Sequence, residues 1–334
     1  NFYLVQYWRT FSYYLIAESL SDSFQVYAPS SSELNLLNYE KVSTYIKENK
    51  FDVIIHSANH LYEGGILFFS INFPKNYPYV PPKITYIKEN KFDVIIHSAN
   101  HLVHPLLKES KNPEIQLLNN MKMFFNIALN KNSFGKMIYF GSGAEFGREH
   151  WKSRMKEEFF GDNFPTDQYG LSKYFMNAHC RLTNNIYNLR LFGMFGEKDD
   201  WRFRLIPYLC AKASLKEDLV INQDAIFGFL YVNDLVEIVK KFIDTEVASG
   251  DYNVCNNEEL NLTEIAEIIS GIDEKREIVV KNQGISTSYS GDNAKLKDTF
   301  PEIMFTPMEE GIKKIYEFYK NNPKIIDSSK FLIK

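Results

Sequence analysis

Short apolar runs alternate with longer stretches in which apolar side chains recur every third or fourth position, and this rhythm holds from the start of the chain to about residue 192. A continuous apolar run bounded by turn residues is the pattern of a strand buried on both faces, whereas the longer spacing is that of a helix with one apolar face. The pattern predicts strands at Phe2 to Val5, Phe24 to Tyr27, Phe92 to His97, Lys136 to Phe140 and Ile186 to Leu191. It predicts helices at Tyr13 to Leu20, Asn38 to Asn49, Leu117 to Ala128 and Asp167 to Arg181. Strands alternating with helices pack as a doubly wound parallel sheet, so the expected fold class is α/β. Beyond about Gly193 the rhythm loosens into helices at Trp201 to Ala213, Val232 to Phe242, Leu262 to Ile269 and Met308 to Lys320. The predicted division is therefore residues 1–192 for the sheet domain and 193–334 for a smaller α/β lobe capping the sheet's carboxyl edge.

One segment occurs twice. Thr44 to Leu61 reads TYIKENKFDVIIHSANHL, and Thr85 to Leu102 repeats it without a change at an offset of 41 residues. Natural repeats diverge and need about three units to bury a continuous core, so two perfect copies indicate an insertion within a chimeric chain. Only one copy of FDVIIHSA fits the central strand slot, and Phe92 to His97 is expected there because the second copy runs on into Pro105 and the next helix. The first copy, Phe51 to Ile55, is then an extra edge strand or an extruded excursion; the rival outcome loops out residues 62–102. Between the copies lies YEGGILFFSINFPKNYPYVPPKI, Tyr62 to Ile84. This stretch resembles the central hairpin and proline-rich exit of a ubiquitin-conjugating enzyme, with a Gly-Gly turn and Pro78, Pro81 and Pro82. The resemblance stops at Ile84. No His-Pro-Asn segment or thioester cysteine follows, and the next cysteine is Cys180, so a ubiquitin-system partner is not expected.

The chain has 334 residues, 45% of them hydrophobic and 24% charged, with a net charge of −4. Its lysines are dispersed, so neither nucleic acid nor an anionic membrane is an expected partner, and no stretch of eighteen apolar residues is present. Cys180, Cys210 and Cys255 are odd in number and lack metal-type spacing, which fits buried thiols in a reducing cytoplasm. His56/His60 and His97/His101 are four apart, but each pair begins in a strand-like run, and no metal site is expected.

Chemistry enters with Tyr169 and Lys173 in DQYGLSK. A phenol with a pKa of about 10 is a poor base at neutral pH, and a cation four residues on along a helix is placed to stabilise its phenolate. Tyr-x-x-x-Lys by itself is uninformative, since Tyr79/Lys83, Tyr208/Lys212 and Tyr316/Lys320 share it. Tyr79/Lys83 spans two prolines and cannot be a helix interior, and Tyr316 lies on an amphipathic segment whose aromatics face a core. Tyr169 differs in its company. KMIYFGSGAEFG upstream reads as a strand ending in a glycine-rich loop that presents Ser142 at the sheet's carboxyl end, where open parallel sheets bind ligands.

Together with SSELNLLN, FDVIIHSAN, NNMKMFFNIA, NLRLFGMFG, FLYVNDLVEIV and YSGDNAKL, these motifs resemble the extended short-chain dehydrogenase/reductase family. The likeness is narrower to its nucleotide-sugar epimerases and reductases, across about residues 13–61 and 92–322. The resemblance implies a Rossmann-like sheet, a nicotinamide cofactor (NADP or NAD), a nucleotide-sugar in the carboxyl-terminal lobe, hydride transfer at the sugar C4, and a homodimer. It implies that Ser142 hydrogen-bonds the substrate oxygen, that Tyr169 exchanges the proton, and that Lys173 binds the nicotinamide ribose and depresses the tyrosine pKa. Ser98, Ala99 and Asn120 fall at its cofactor-binding positions, and Arg190 and Arg202 are either diphosphate ligands or ordinary surface arginines. Gly143 and Ala144 stand where the family's dehydratases carry an Asp-Glu pair, and Ala144 and Arg202 stand where its epimerase-reductases carry an acid/base Cys and His. What remains is simple 4-keto reduction or 4-epimerisation. At the amino end, Gln6, Arg9 and Ser12 replace the three phosphate-loop glycines, which implies weakened dinucleotide binding. No acidic residue follows Tyr27, where Ala28, Pro29 and Ser30 stand, which favours NADP. The alternative is a non-catalytic chimera that binds no cofactor.

Overall fold

The computed structural model describes residues 2–3, 26–27, 53–56, 92–101 and 115–331. Its strands are Phe2–Tyr3 (β1), Val26–Tyr27 (β2), Val53–His56 (β3), Phe92–His97 (β4), Phe134–Ser142 (β5), Ile186–Leu191 (β6) and Gly193–Phe195 (β7). Leu219–Asp224 (β8), Ile226–Tyr231 (β9), Gly250–Val254 (β10), Glu259–Asn261 (β11) and Ile278–Ile285 (β12) follow. The α-helices are Gln116–Ala128 (α1), Gln168–Cys180 (α2), Leu205–Ser214 (α3), Val232–Asp244 (α4), Leu262–Gly271 (α5), Ala294–Thr299 (α6) and Met308–Asn321 (α7). The helices expected at Tyr13 to Leu20 and Asn38 to Asn49, together with Gln6, Arg9, Ser12 and the segment Tyr62 to Ile84, lie outside the described residues.

Seven strands form one sheet in the order β10-β6-β5-β4-β3-β1-β2, parallel throughout. The α/β class and the doubly wound sheet are therefore as the pattern predicted. β4 takes the slot beside β5, as expected of the second copy. The first copy departs from expectation: it is neither an edge strand nor an excursion, but an interior strand between β1 and β4. The two copies pair in register, Val53 with Val94 through His56 with His97. A Val-Ile-Ile run suits the interior of a parallel sheet, where both neighbours satisfy its backbone, better than an unpaired edge.

The sheet's core is contiguous with the following helical layer. Ile96, Ile138, Leu189, Val254, Leu235, Val239 and Phe242 are buried together. β10 thus returns to the large sheet although it lies beyond residue 193, and α4 packs with it. A second core joins α3, α5 and α7 through Tyr208, Leu209, Ile265, Ile312 and Ile315. Between the two lie β7, β9 and β11, a small sheet that connects the lobe to the end of β6.

Candidate active site

β5 ends at Ser142 and passes into a short turn over Gly143–Phe146, which Ser142 caps by accepting the Ala144 N–H at 3.2 Å. Asp167 caps α2, accepting the Gly170 N–H at 2.9 Å, so that Tyr169 lies in the helix's first turn and Lys173 one turn on. Gly170 lets this turn close on the loop: a Cβ there would lie 2.6 Å from the Ala144 carbonyl. The result joins the predicted residues, since the Ser142 side chain lies near enough to the Tyr169 hydroxyl to oppose the rise that burial imposes on its pKa.

Lys173 is buried, its Nζ donating to the Phe140 carbonyl at 2.8 Å and lying 4.7 Å from the Tyr139 ring centroid and 5.6 Å from that of Tyr169. Desolvation lowers its pKa to about 7. The expectation that Lys173 depresses the Tyr169 pKa is corrected here. Burial raises the Tyr169 phenol above its usual value, opposed first by the Ser142 side chain and then by the charges of Arg148 and Arg204. With its own pKa lowered to about 7, Lys173 has lost most of its charge in the pH range where a phenol titrates. The other Tyr-x-x-x-Lys pairs on described helices are structural: Tyr208 is in the second core, and Tyr316 donates to Asp273 at 2.8 Å.

The expected cofactor positions that the structure describes lie along the same sheet edge. Ser98 and Ala99 are buried immediately beyond β4, whose last residue pairs with Tyr139 of β5. Asn120 is a brace. Its Oδ1 accepts from the His101 N–H at 2.6 Å and its Nδ2 donates to Ser172 Oγ at 3.3 Å, while Ser172 donates to the Tyr169 carbonyl at 2.7 Å. The loop after β4 and the helix of Tyr169 are thereby tied through one amide. Of the three Nζ donors on Lys173, one is used among the described residues, leaving a buried, partly dry cation beside Tyr169 that suits the hydroxyls of a ribose. This half of the cleft fits a nicotinamide dinucleotide.

Arg190 is a correction. It is 0% exposed, and its guanidinium is committed to Glu145, Asp251 and, at 2.8 Å, Asn253, with Phe146 beneath it at 4.4 Å. It braces β6 against β10 and the Ser142 loop and has no face for a diphosphate. Arg202 is half-buried and pairs with Asp200, Nε to Oδ1 at 2.8 Å. Two residues went unpredicted. Glu145, inside the GSGAEFG motif, turns into the core, where Asn177 and Asn188 also donate to it. Tyr289, inside YSGDNAKL, reaches Ser142 from the lobe. Both stood in quoted motifs, but which way each side chain faces depends on contacts distant in sequence. Among the described residues no cluster of His, Cys, Asp or Glu forms a metal site, and no helix is long and apolar enough to cross a membrane.

A parallel sheet with a serine, a tyrosine and a lysine at its carboxyl edge is the setting of the NAD dependent epimerase/dehydratase family, whose profile matches residues 83–255. The match spans more than half of the chain, and the chain belongs to this family. A ubiquitin-conjugating enzyme profile also matches residues 30–133, a range without a cysteine. The chain is similar to a dTDP-4-dehydro-6-deoxyglucose reductase of Escherichia coli, 23% identical over 62% of this chain and 69% of that protein. A GDP-L-colitose synthase of Yersinia pseudotuberculosis is 22% identical over 77% of each. In fold it resembles a GDP-mannoheptose C4 reductase of Campylobacter jejuni solved with NADP bound, at a TM-score of 0.63 and 17% identity over 96% of this chain and 98% of that one.

Proposed function

We propose that this chain is built for NADP- or NAD-dependent hydride transfer at C4 of a nucleotide-linked sugar, as a 4-keto reductase or 4-epimerase, with Ser142, Tyr169 and Lys173 as its reacting set. The observation that carries this is the placing of the Ser142 side chain beside the Tyr169 hydroxyl at the carboxyl edge of the sheet, with the Lys173 ammonium one helical turn away. A nicotinamide dinucleotide, when bound, supplies or accepts the hydride. Tyr169 gives its proton to the sugar oxygen as the carbonyl becomes an alcohol, and takes it back in the reverse direction. Ser142 holds that oxygen by hydrogen bonding. Lys173 holds a ribose through its remaining donors, and Ser98, Ala99 and Asn120 shape the adjoining cleft. Arg202 is the proposed diphosphate ligand at the rim, where the charges of Arg148 and Arg204 also act on Tyr169. The reductase relatives and the absence of an acidic residue after Tyr27 support a 4-keto substrate and NADP.

With dTDP-4-dehydro-6-deoxyglucose as the probe substrate, Tyr169→Phe abolishes NADPH oxidation while leaving the melting temperature unchanged; retained oxidation contradicts the assignment. One observation favours a second reading, a chain that loads no dinucleotide: β3 stands between β1 and β4. The strand order reverses between β1 and β3, where a dinucleotide binds, so the second copy puts one more strand between that crevice and Ser142 at the end of β5. Fluorescence titration with NADPH and NADH separates the readings, saturation supporting the first and no binding the second.

A further inference from the structure

Tyr289 arrives at the reacting set from the other lobe on a rigid mount. Its backbone N–H donates to the Ile226 carbonyl at 2.8 Å and its carbonyl accepts from the Gly228 N–H at 3.2 Å, strapping it along β9. Its ring is stacked on Trp151 at 3.9 Å between centroids and packs against Phe192 at 5.2 Å. Trp151 in turn donates from Nε1 to the Gly143 carbonyl at 3.1 Å. The phenol ends against the backbone beside Ser142: a Cβ on Gly143 would lie 2.7 Å from the Tyr289 hydroxyl and 2.7 Å from Phe192. Gly143 is therefore small because this phenol occupies the space. The hydroxyl thus lies beside Ser142, whose side chain opposes the rise that burial imposes on the phenol's pKa.

Ser142 Oγ has one proton and two lone pairs. One lone pair takes the Ala144 N–H. A phenol is a more acidic hydroxyl than a serine and the better donor of the two. Burial also raises the Tyr289 pKa well above its ordinary value, so the phenol keeps its proton across the working pH range.

We propose that Tyr289 is a positioning residue of the reaction: it donates to Ser142 Oγ, fills the remaining lone pair, and so leaves the serine's single proton directed toward Tyr169 and the substrate oxygen between them. This rests on the reading of Ser142 and Tyr169 given above. The phenol orients the donor before substrate arrives, which removes a rotation that a free serine hydroxyl must stop.

The test is Tyr289→Phe, Ser142→Ala and the double variant, assayed with NADPH and dTDP-4-dehydro-6-deoxyglucose. Tyr289→Phe lowers kcat about tenfold, the worth of one buried hydrogen bond, with KM unchanged. The double variant is no slower than Ser142→Ala, because Tyr289 acts only through the serine. An unchanged kcat in Tyr289→Phe, or losses that multiply in the double variant, overturns the proposal. Neutron diffraction of the unliganded, deuterium-exchanged protein reads the same point without turnover. A deuterium on Tyr289 Oη pointing at Ser142 supports it, and a Ser142 deuterium pointing at Tyr289 overturns it. Failure of the underlying reading shows separately, as turnover surviving Tyr169→Phe.

Discussion

Glu145 and Asp251 share the Arg190 guanidinium on unequal terms. Burial raises the Glu145 carboxyl to about 7, whereas Asp251, also buried but held by Arg190 and Arg181 together, falls to about 2. Between about pH 4.5 and 7 the folded protein retains a proton on Glu145 that the unfolded chain releases, so this group's contribution to stability is full at low pH and lost as pH rises. Glu145→Gln, which keeps the shape and carries no titrating carboxyl, flattens that slope. Thermal unfolding of both proteins across the window checks it, and parallel slopes contradict it. That Ser142 and Tyr169 come together was legible because their placement depends on local spacing and on one strand, loop and helix. The burial of Arg190 was not, because its partners lie 45, 61 and 63 residues away and meet it only once β5, β6 and β10 are side by side.

At the scale of elements, apolar runs located the described strands up to residue 191 to within a few residues, with Phe92 to His97 and Ile186 to Leu191 placed without error, while the strands from β7 onward were not placed. β5 begins earlier than predicted, at Phe134, because Phe134 also pairs with Phe92 of β4. Lys136 illustrates what pattern cannot reveal. It is a buried cation at a strand's start, and it terminates α4 by donating to the carbonyls of Phe242 at 2.7 Å and Thr245 at 2.9 Å. Replacing it by methionine keeps the stem and strands these carbonyls. Lys136→Met is expected to destabilise the fold by about 1–3 kcal/mol, the cost of buried carbonyls losing a charged donor. Urea unfolding measures this, and an unchanged midpoint contradicts the capping role.

Over the whole molecule, the duplication matters most where it enters the sheet. The repeat was legible, but its seat was not, because both copies have the same sequence and only pairing distinguishes them. An additional strand sets β1 about 4.8 Å further from β4, one strand spacing, at the place where a dinucleotide lies across the sheet. Deleting residues 44–84 and deleting residues 62–102 leave the same sequence, so one variant restores a single copy whichever is regarded as the insert. That variant should bind NADPH at least tenfold more tightly than the full chain in a fluorescence titration. A folded variant with equal or weaker affinity contradicts the importance of the extra strand.

The central claim is that Tyr169, Ser142 and Lys173 serve hydride transfer to a sugar carbon. Its most direct measurement follows deuteride from labelled NADPH into dTDP-4-dehydro-6-deoxyglucose by mass spectrometry and NMR of the product. The account predicts deuterium at the sugar C4 with the unaltered protein and none with Tyr169→Phe. Label appearing at another carbon, or at C4 in both proteins alike, contradicts it.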